Sequence, residues 1–220
     1  MPYRFTKRTG GNSHGAFASL NLAMHVGDDE AIVSQNRQLV DQIFTPVQYM
    51  NQVHGNRIAI IEEQSNEAPT ADALVTGIPG VTLGVMVADC IPLLLVSKEV
   101  VGAVHVGRKG LMNSIAPITI ELMRDMGASS IQAIMGPSIC GTCYEVSADI
   151  FEEVISVHPS AKSATPEGAF ALDLPAALRT VLAKESISIV DEFSCTLEDS
   201  ELFSYRRDGV TGRQAGLITL

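Results

Sequence analysis

Positive charge is in short supply in this chain: 15 lysines and arginines stand against 25 aspartates and glutamates, for a formal net charge of -10. Nucleic acid and anionic membrane surfaces need clustered Lys and Arg, so neither is expected as a partner. A small anionic substrate stays open, because a few local arginines suffice to bind it. No apolar run approaches the roughly 18 residues that a membrane-spanning helix needs. The opening stretch, MPYRFTKRTGGNS, has no apolar segment of the kind a secretory signal carries. With 4 cysteines in 220 residues, a secreted disulfide framework does not fit. A reducing, cytoplasmic setting with free thiols is the expectation. Internal repeats, low-complexity tracts and dividing linkers are also missing. The most loop-like stretch, EEQSNEAPTADA, reads as a surface connection, so residues 1–220 read as a single domain.

What is present is 46% hydrophobic and 18% charged, the balance of a globular chain. From Asp29 to Phe44, apolar residues (Ile32, Val33, Leu39, Val40, Ile43, Phe44) recur at helical spacing, with Asp28 or Asp29 as cap. β-rich runs follow at Val47–Val53, Arg57–Ile61, Ala73–Thr76, Thr82–Val87, Pro92–Val96 and Val100–Val106. A second amphipathic helix carries Leu111, Ile115, Ile118, Leu122, Met123 and Met126, and Gly127 ends it. Ile131–Met135 reads as a strand, and Ala148–Val157 as a helix behind Ser147. Phe170–Leu172 is a short strand, and Asp173 opens a helix with Pro175 in its first turn. Ile187–Phe193 and Gly216–Thr219 read as the last strands. Strict βαβ alternation is missing, so the fold class expected is α+β with a mixed, mostly antiparallel sheet.

Residues able to bind metal stand at strand ends: His54 in NQVHGN, Cys90 in ADCIP and His105 in AVHVGRKG. Strand ends at one sheet edge can converge side chains on a rigid scaffold. Two histidines and one cysteine make a three-ligand set for catalytic zinc, with the fourth position open. They equally match part of a blue-copper site, or a nucleophilic pair with Cys90 as thiolate and His105 as base. A packed thiol with two ordinary histidines is the fourth reading. Ligand type alone leaves these open, but 5 histidines are too few for a multicopper oxidase's trinuclear cluster. In Cys140-Gly141-Thr142-Cys143 the absence of a second CxxC rules out a four-cysteine zinc site, leaving a redox pair or loop-packing cysteines. The zinc-deaminase signature H-x-E…P-C-x-x-C is absent. Arg206-Arg207, Arg213, Arg108-Lys109 and Arg37 are either anion contacts or solvated surface charge.

Taken in order, GGNSHGAFASLNLAMHVGDD, VSQNR, NQVHG, ADALVTG, VADCIPLLL, AVHVGRKG, GPSICGTCYEV and FSYRRDGVTGRQAGLI resemble the YfiH/laccase-domain family, historically labelled polyphenol oxidase. The likeness runs from about Thr6 to Leu220. It implies a layered α/β sandwich with sheets held between helices. It also implies zinc, with copper as a possible substitute, held by His54, Cys90 and His105 as the catalytic set. The activities implied are phosphorolysis of adenosine, inosine, guanosine and methylthioadenosine, and deamination of adenosine. Purine nucleosides and phosphate are then the partners, with Arg37, Ser13 and Lys109 as candidate substrate contacts. One departure stands out. The family reads HAGWRG where this chain has His105-Val106-Gly107-Arg108-Lys109-Gly110. Lys109, in the arginine's place, cannot make the bidentate fork to phosphate or carboxylate, which bears on substrate range or turnover. Asp89, beside Cys90, either points to the opposite face or accepts a hydrogen bond that supports the site. The rival readings are a Cys-His amide hydrolase acting on cell-wall peptides and an inactive metal-binding adaptor. Oligomeric state is left open.

Overall fold

The computed structural model describes residues 3–65 and 67–220; Met1, Pro2 and Asn66, the last inside the expected surface connection, lie outside the described residues. Along the chain run β1 (Tyr3–Phe5), α1 (Glu30–Asp41), β2 (Val47–Gln48), β3 (Ile58–Ile60), β4 (Ala73–Thr76), β5 (Thr82–Val87), β6 (Ile91–Val96) and β7 (Val101–Val106). There follow α2 (Arg108–Met112), α3 (Ile115–Asp125), β8 (Gln132–Met135), α4 (Ala148–Val157), β9 (Lys162–Ala164) and β10 (Phe170–Leu172). The chain ends with α5 (Leu174–Lys184), β11 (Ser188–Asp191), α6 (Tyr205–Asp208) and β12 (Gln214–Thr219).

The central strands are apolar on both faces because each is covered twice. One sheet has the order β11-β8-β6-β7-β4-β3 and the other β1-β12-β5-β2, with β9 and β10 as a separate hairpin. Successive side chains in a strand alternate between faces. Ile91, Leu93 and Leu95 of β6, with Val104 and Val106 of β7, pack against Ile115, Ile120 and Met123 of α3 and Leu178 and Leu182 of α5. Their neighbours Leu94, Val101 and Ala103 point the other way and meet Leu83, Val85 and Ile218 of the second sheet. The far face of that sheet, with Met86, Ala215 and Leu217, is covered by Val40 of α1 and by Leu22 and Ala23. The result is four layers, helix–sheet–sheet–helix. Pairing is mixed and mostly antiparallel, as expected from the sequence; the parallel pairs, β2–β5, β3–β4 and β8–β11, each involve a sheet edge.

Helix starts follow their caps. Asp29 accepts from the N–H groups of Ala31 (2.8 Å) and Ile32 (3.3 Å), and Asp173 from Ala176 (2.8 Å). The single helix expected across Leu111–Met126 is two, α2 and α3, broken at Asn113-Ser114 where Ser114 is left-handed at φ 58. Pro117 explains the break. Its missing N–H is harmless in the first turn of a new helix and disruptive inside a continuous one. The Val47–Val53 strand shrinks to Val47–Gln48 because the Gln52 amide takes over the edge of β5, donating to Met86 O (2.7 Å) and accepting from Met86 N (2.9 Å). Among the described residues no helix is long and apolar enough to cross a membrane.

Candidate active site

β6 and β7 pair with Pro92 opposite His105 and Ile91 opposite Val106. Pro92 is tolerated here because its carbonyl accepts from Gly136 N at 3.1 Å. The N–H and C=O of one strand residue point the same way, so the missing N–H faces the end of β8 and costs no bond to β7. One step further along this register, Cys90 faces Gly107. A Cβ at Gly107 would lie 2.9 Å from Cys90 Sγ and 3.4 Å from His54 Cδ2. Glycine there leaves the thiol room to lie between the histidines.

Asp72 places both histidines. Its side chain is 0% exposed. Its Oδ1 accepts from His54 N (2.9 Å) and pairs with His105 Nδ1 (2.9 Å), while Oδ2 accepts from Gly55 N (2.7 Å) and Val53 N (3.3 Å). These bonds hold His54 at φ 59, a left-handed conformation uncommon outside glycine. They also fix a proton on His105 Nδ1, so that Nε2 is the ring nitrogen left to meet another partner. Burial alone would raise the Asp72 carboxyl; the hydrogen bonds from His105, Gly55 and His54 outweigh it and hold the group below the usual carboxylate range.

His54, Cys90 and His105 converge, with ligand atoms all within 4.8 Å of one another. The two imidazoles meet edge-on, centroids 4.7 Å apart. His54 is exposed, Cys90 half-buried and His105 buried. Burial pushes the Cys90 thiol up, but the charge of His105 and hydrogen bonds from both histidines outweigh it and bring it to about 6. Burial pushes His105 down, and the thiolate together with Asp72 more than reverses this, to about 9. A thiolate and two imidazoles on a fixed frame fit a borderline-soft divalent metal with one coordination position open.

Asp89 turns elsewhere. At φ 97, its Oδ1 accepts from Thr196 Oγ1 and Ser204 Oγ and its Oδ2 from Arg206 N, each at 2.7 Å. It braces the start of α6, the segment that delivers Tyr205 and Arg206. A cavity of about 380 Å³ opens in front of the three metal-type residues, and His25, Tyr144, Tyr205, Arg206 and Arg213 share its lining. The Arg206 guanidinium lies over the Tyr144 ring, 5.1 Å from the centroid, and Arg213 lies 6.0 Å from that of Tyr205. His25 is held below its ordinary value by burial and by the charges of Arg213 and Arg37. A cationic enclave therefore sits within an acidic chain.

The other sequence candidates lie apart from this lining. Ser13 is buried in a polar network, donating to Asp28 Oδ2 (2.6 Å) and accepting from Asn36 Nδ2 (2.9 Å). Lys109 is exposed on the first turn of α2. Arg37 stacks over Tyr49 at 4.3 Å and donates to Leu22 O (2.9 Å), and its Nη2 stands 3.9 Å from Met86 Sδ at the cavity's edge. Arg207 is spent on the carbonyls of Thr196, Leu197, Asp199 and Leu202. The role of Asp72 was not read from the sequence; its signal was an acid inside the apolar run ADALVTG. A second cavity of about 360 Å³, lined by Phe5, Leu39 and Phe44 among others, contains none of His54, Cys90 and His105.

The family model described as multi-copper polyphenol oxidoreductase laccase matches residues 2–220. A purine nucleoside phosphorylase of Corynebacterium glutamicum is 40% identical, the match covering 98% of this chain and 93% of that protein. One from Streptomyces coelicolor is 38% identical, covering 99% and 95%. A crystal structure of a Neisseria meningitidis protein superposes with a TM-score of 0.89 at 36% identity, covering 99% of this chain and 93% of that one.

Proposed function

The chain belongs to the multi-copper polyphenol oxidoreductase laccase family, and from that membership and its cavity we propose that it is a zinc-dependent purine nucleoside phosphorylase acting as one domain. The observation that carries this reading is the meeting of a three-ligand metal set with Arg206, Arg213 and two tyrosines in one nucleoside-sized cavity. Relatives named purine nucleoside phosphorylase support it. Adenosine, inosine, guanosine and methylthioadenosine are the proposed substrates, and adenosine is also the proposed deamination substrate. The free cysteines suit a cytoplasmic protein.

In phosphorolysis a phosphate oxygen forms a bond to ribose C1′ while the bond from C1′ to the purine nitrogen breaks. The purine leaves with that electron pair and takes up a proton. Arg206 and Arg213 hold the phosphate, with His25 beside them. Tyr144 and Tyr205 offer faces on which a purine can stack. Asp72 fixes the histidines, so little reorganisation is needed when substrate arrives. A zinc ion held by His54, Cys90 and His105 would supply Lewis acidity at the head of the cavity. The copper chemistry in the family's description needs more imidazoles than this site brings together: the three-residue group holds two.

Two variants test the proposal. Cys90→Ala, still folded, should lose turnover together with the zinc equivalent held by His54, Cys90 and His105. Arg206→Ala should raise KM for phosphate about 10- to 100-fold, from loss of a charged hydrogen bond of about 1.5–3 kcal/mol. Full turnover in Cys90→Ala overturns the metal-centred reading.

The Asp72–His105–Cys90 array also favours one second reading, a Cys-His amide hydrolase. Iodoacetamide separates the two. Zinc-loaded protein that resists alkylation at Cys90 supports the phosphorylase; rapid alkylation of active protein supports the hydrolase. A metal-binding adaptor would instead bind nucleoside without turning it over.

A further inference from the structure

Three cysteines and a glutamate meet outside the lining of that cavity. Cys140 and Cys143 lie in the loop after β8, Cys195 and Glu198 in the turn after β11. Their ligand atoms, three Sγ and one carboxylate oxygen, all lie within 4.8 Å of one another. The loops are pinned independently of these side chains: Ser138 N donates to Ser194 O and Thr196 N to Ser138 O, each at 3.1 Å. Cys140 N points at Cys195 Sγ from 3.4 Å, and Cys143 Sγ approaches Glu198 Oε1 at 3.5 Å. Gly141 permits the turn to close against α5, since a Cβ there would lie 2.6 Å from Asp173 Cβ.

Simple packing does not require this arrangement. Thiols that only fill space need no carboxylate, and a disulfide within the CxxC pair would leave Cys195 and Glu198 without a purpose. Tetrahedral zinc with Zn–S near 2.3 Å places its sulfurs about 3.8 Å apart, a spacing this cluster reaches by small side-chain rotations. Four protein donors fill the coordination shell, the pattern of a structural site rather than a catalytic one. A backbone N–H aimed at a sulfur stabilises a bound thiolate. Cys195 is buried, Cys140 and Cys143 are half-buried and Glu198 is exposed, so one side remains open for metal entry.

We propose that Cys140, Cys143, Cys195 and Glu198 form a second metal site, taking zinc or a similarly thiophilic divalent cation, that staples the loop after β8 to the turn after β11. Both loops serve the cavity. Tyr144, in its lining, follows Cys143, and Thr196, which donates to Asp89 at 2.7 Å, follows Cys195. The staple fixes that wall. It is separate from the His54–Cys90–His105 group and independent of the nucleoside reading, because its readout is metal content.

The test is zinc stoichiometry by elemental mass spectrometry, on full-length protein saturated with zinc and then desalted. Wild type should carry two equivalents, Cys90→Ala one, Cys143→Ser one and the double variant none. Cobalt(II) loaded into Cys90→Ala should give strong sulfur-to-cobalt charge-transfer and tetrahedral ligand-field bands that vanish in Cys90→Ala/Cys143→Ser. Glu198→Gln, an exposed change that spares the fold, should surrender one of its two zinc equivalents to a chelator concentration that wild type resists. A single equivalent in wild type, unchanged by Cys143→Ser, overturns the site. So does cobalt bound without thiolate charge transfer, or a Cys140–Cys143 disulfide in protein purified anaerobically.

Discussion

Asp72→Asn removes one charge and keeps the side chain's shape, so it isolates what the carboxylate contributes. Asp72 takes part in four hydrogen bonds, to the N–H groups of Val53, His54 and Gly55 and to the ring of His105, at 2.7–3.3 Å. An asparagine keeps one oxygen and gains an amino group that faces donors. In one orientation Val53 and Gly55 lose their acceptor; in the other His54 and His105 do. Two charge-assisted bonds are lost either way, at a side chain with no exposed surface. The expected cost is about 3–5 kcal/mol, or a melting point lower by on the order of 10 °C for a chain of this size. The histidines also lose their fixed orientation, so zinc affinity should fall about 10- to 100-fold. Thermal unfolding and zinc competition with a chromophoric chelator measure the two effects. A variant that melts within about 1 kcal/mol of wild type and binds zinc equally well would refute the placing role of Asp72.

Three further predictions rest on the same geometry. Gly107→Ala puts a methyl 2.9 Å from Cys90 Sγ; it should displace the thiol and cut zinc affinity, at an overpacking cost of about 1–3 kcal/mol in unfolding free energy, which equilibrium denaturation would show. His25 is depressed by burial and by Arg213 and Arg37, so the unfolded chain binds a proton that the folded chain refuses as pH falls through about 6.5, and stability declines in that direction. Phosphate bound at Arg206 and Arg213 should raise the His25 pKa in an NMR titration; an unmoved resonance would place the anion elsewhere.

Much of the fold was legible because the central strands are short apolar runs bounded by Gly, Pro or polar turns, and their existence depends little on context. β1 and β9 were not legible. Each is three residues long, too short for a period to stand out, and each exists through its partner, β12 or β10. The edge placement of the parallel pairs and the splitting into two sheets are likewise tertiary facts. At the site, His54, Cys90 and His105 could be read as chemistry at strand ends, but not as neighbours: the Pro92–His105 register brings two of them together, and Asp72 the third. Arg206 and Arg213 showed only as part of a basic cluster, and nothing local distinguishes them from Arg207, whose guanidinium four loop carbonyls absorb, while Arg213 gives its Nη1 to the carbonyls of Thr211 and Gly212. Ser13 is a candidate contact only through the resemblance, and its burial was not legible because the partners that bury it, Asp28 and Asn36, are 15 and 23 positions away. The third thiol near the CxxC pair, 55 residues from Cys140, was invisible to any spacing rule.

The most direct measurement is product chromatography after incubating purified protein with adenosine and phosphate, with and without a zinc chelator. Adenine and ribose 1-phosphate in the metal-replete sample, abolished by the chelator and restored by zinc, is the predicted result; inosine beside them would report the deaminase activity. No product from protein carrying a full equivalent of zinc at His54, Cys90 and His105 would contradict the nucleoside phosphorylase reading.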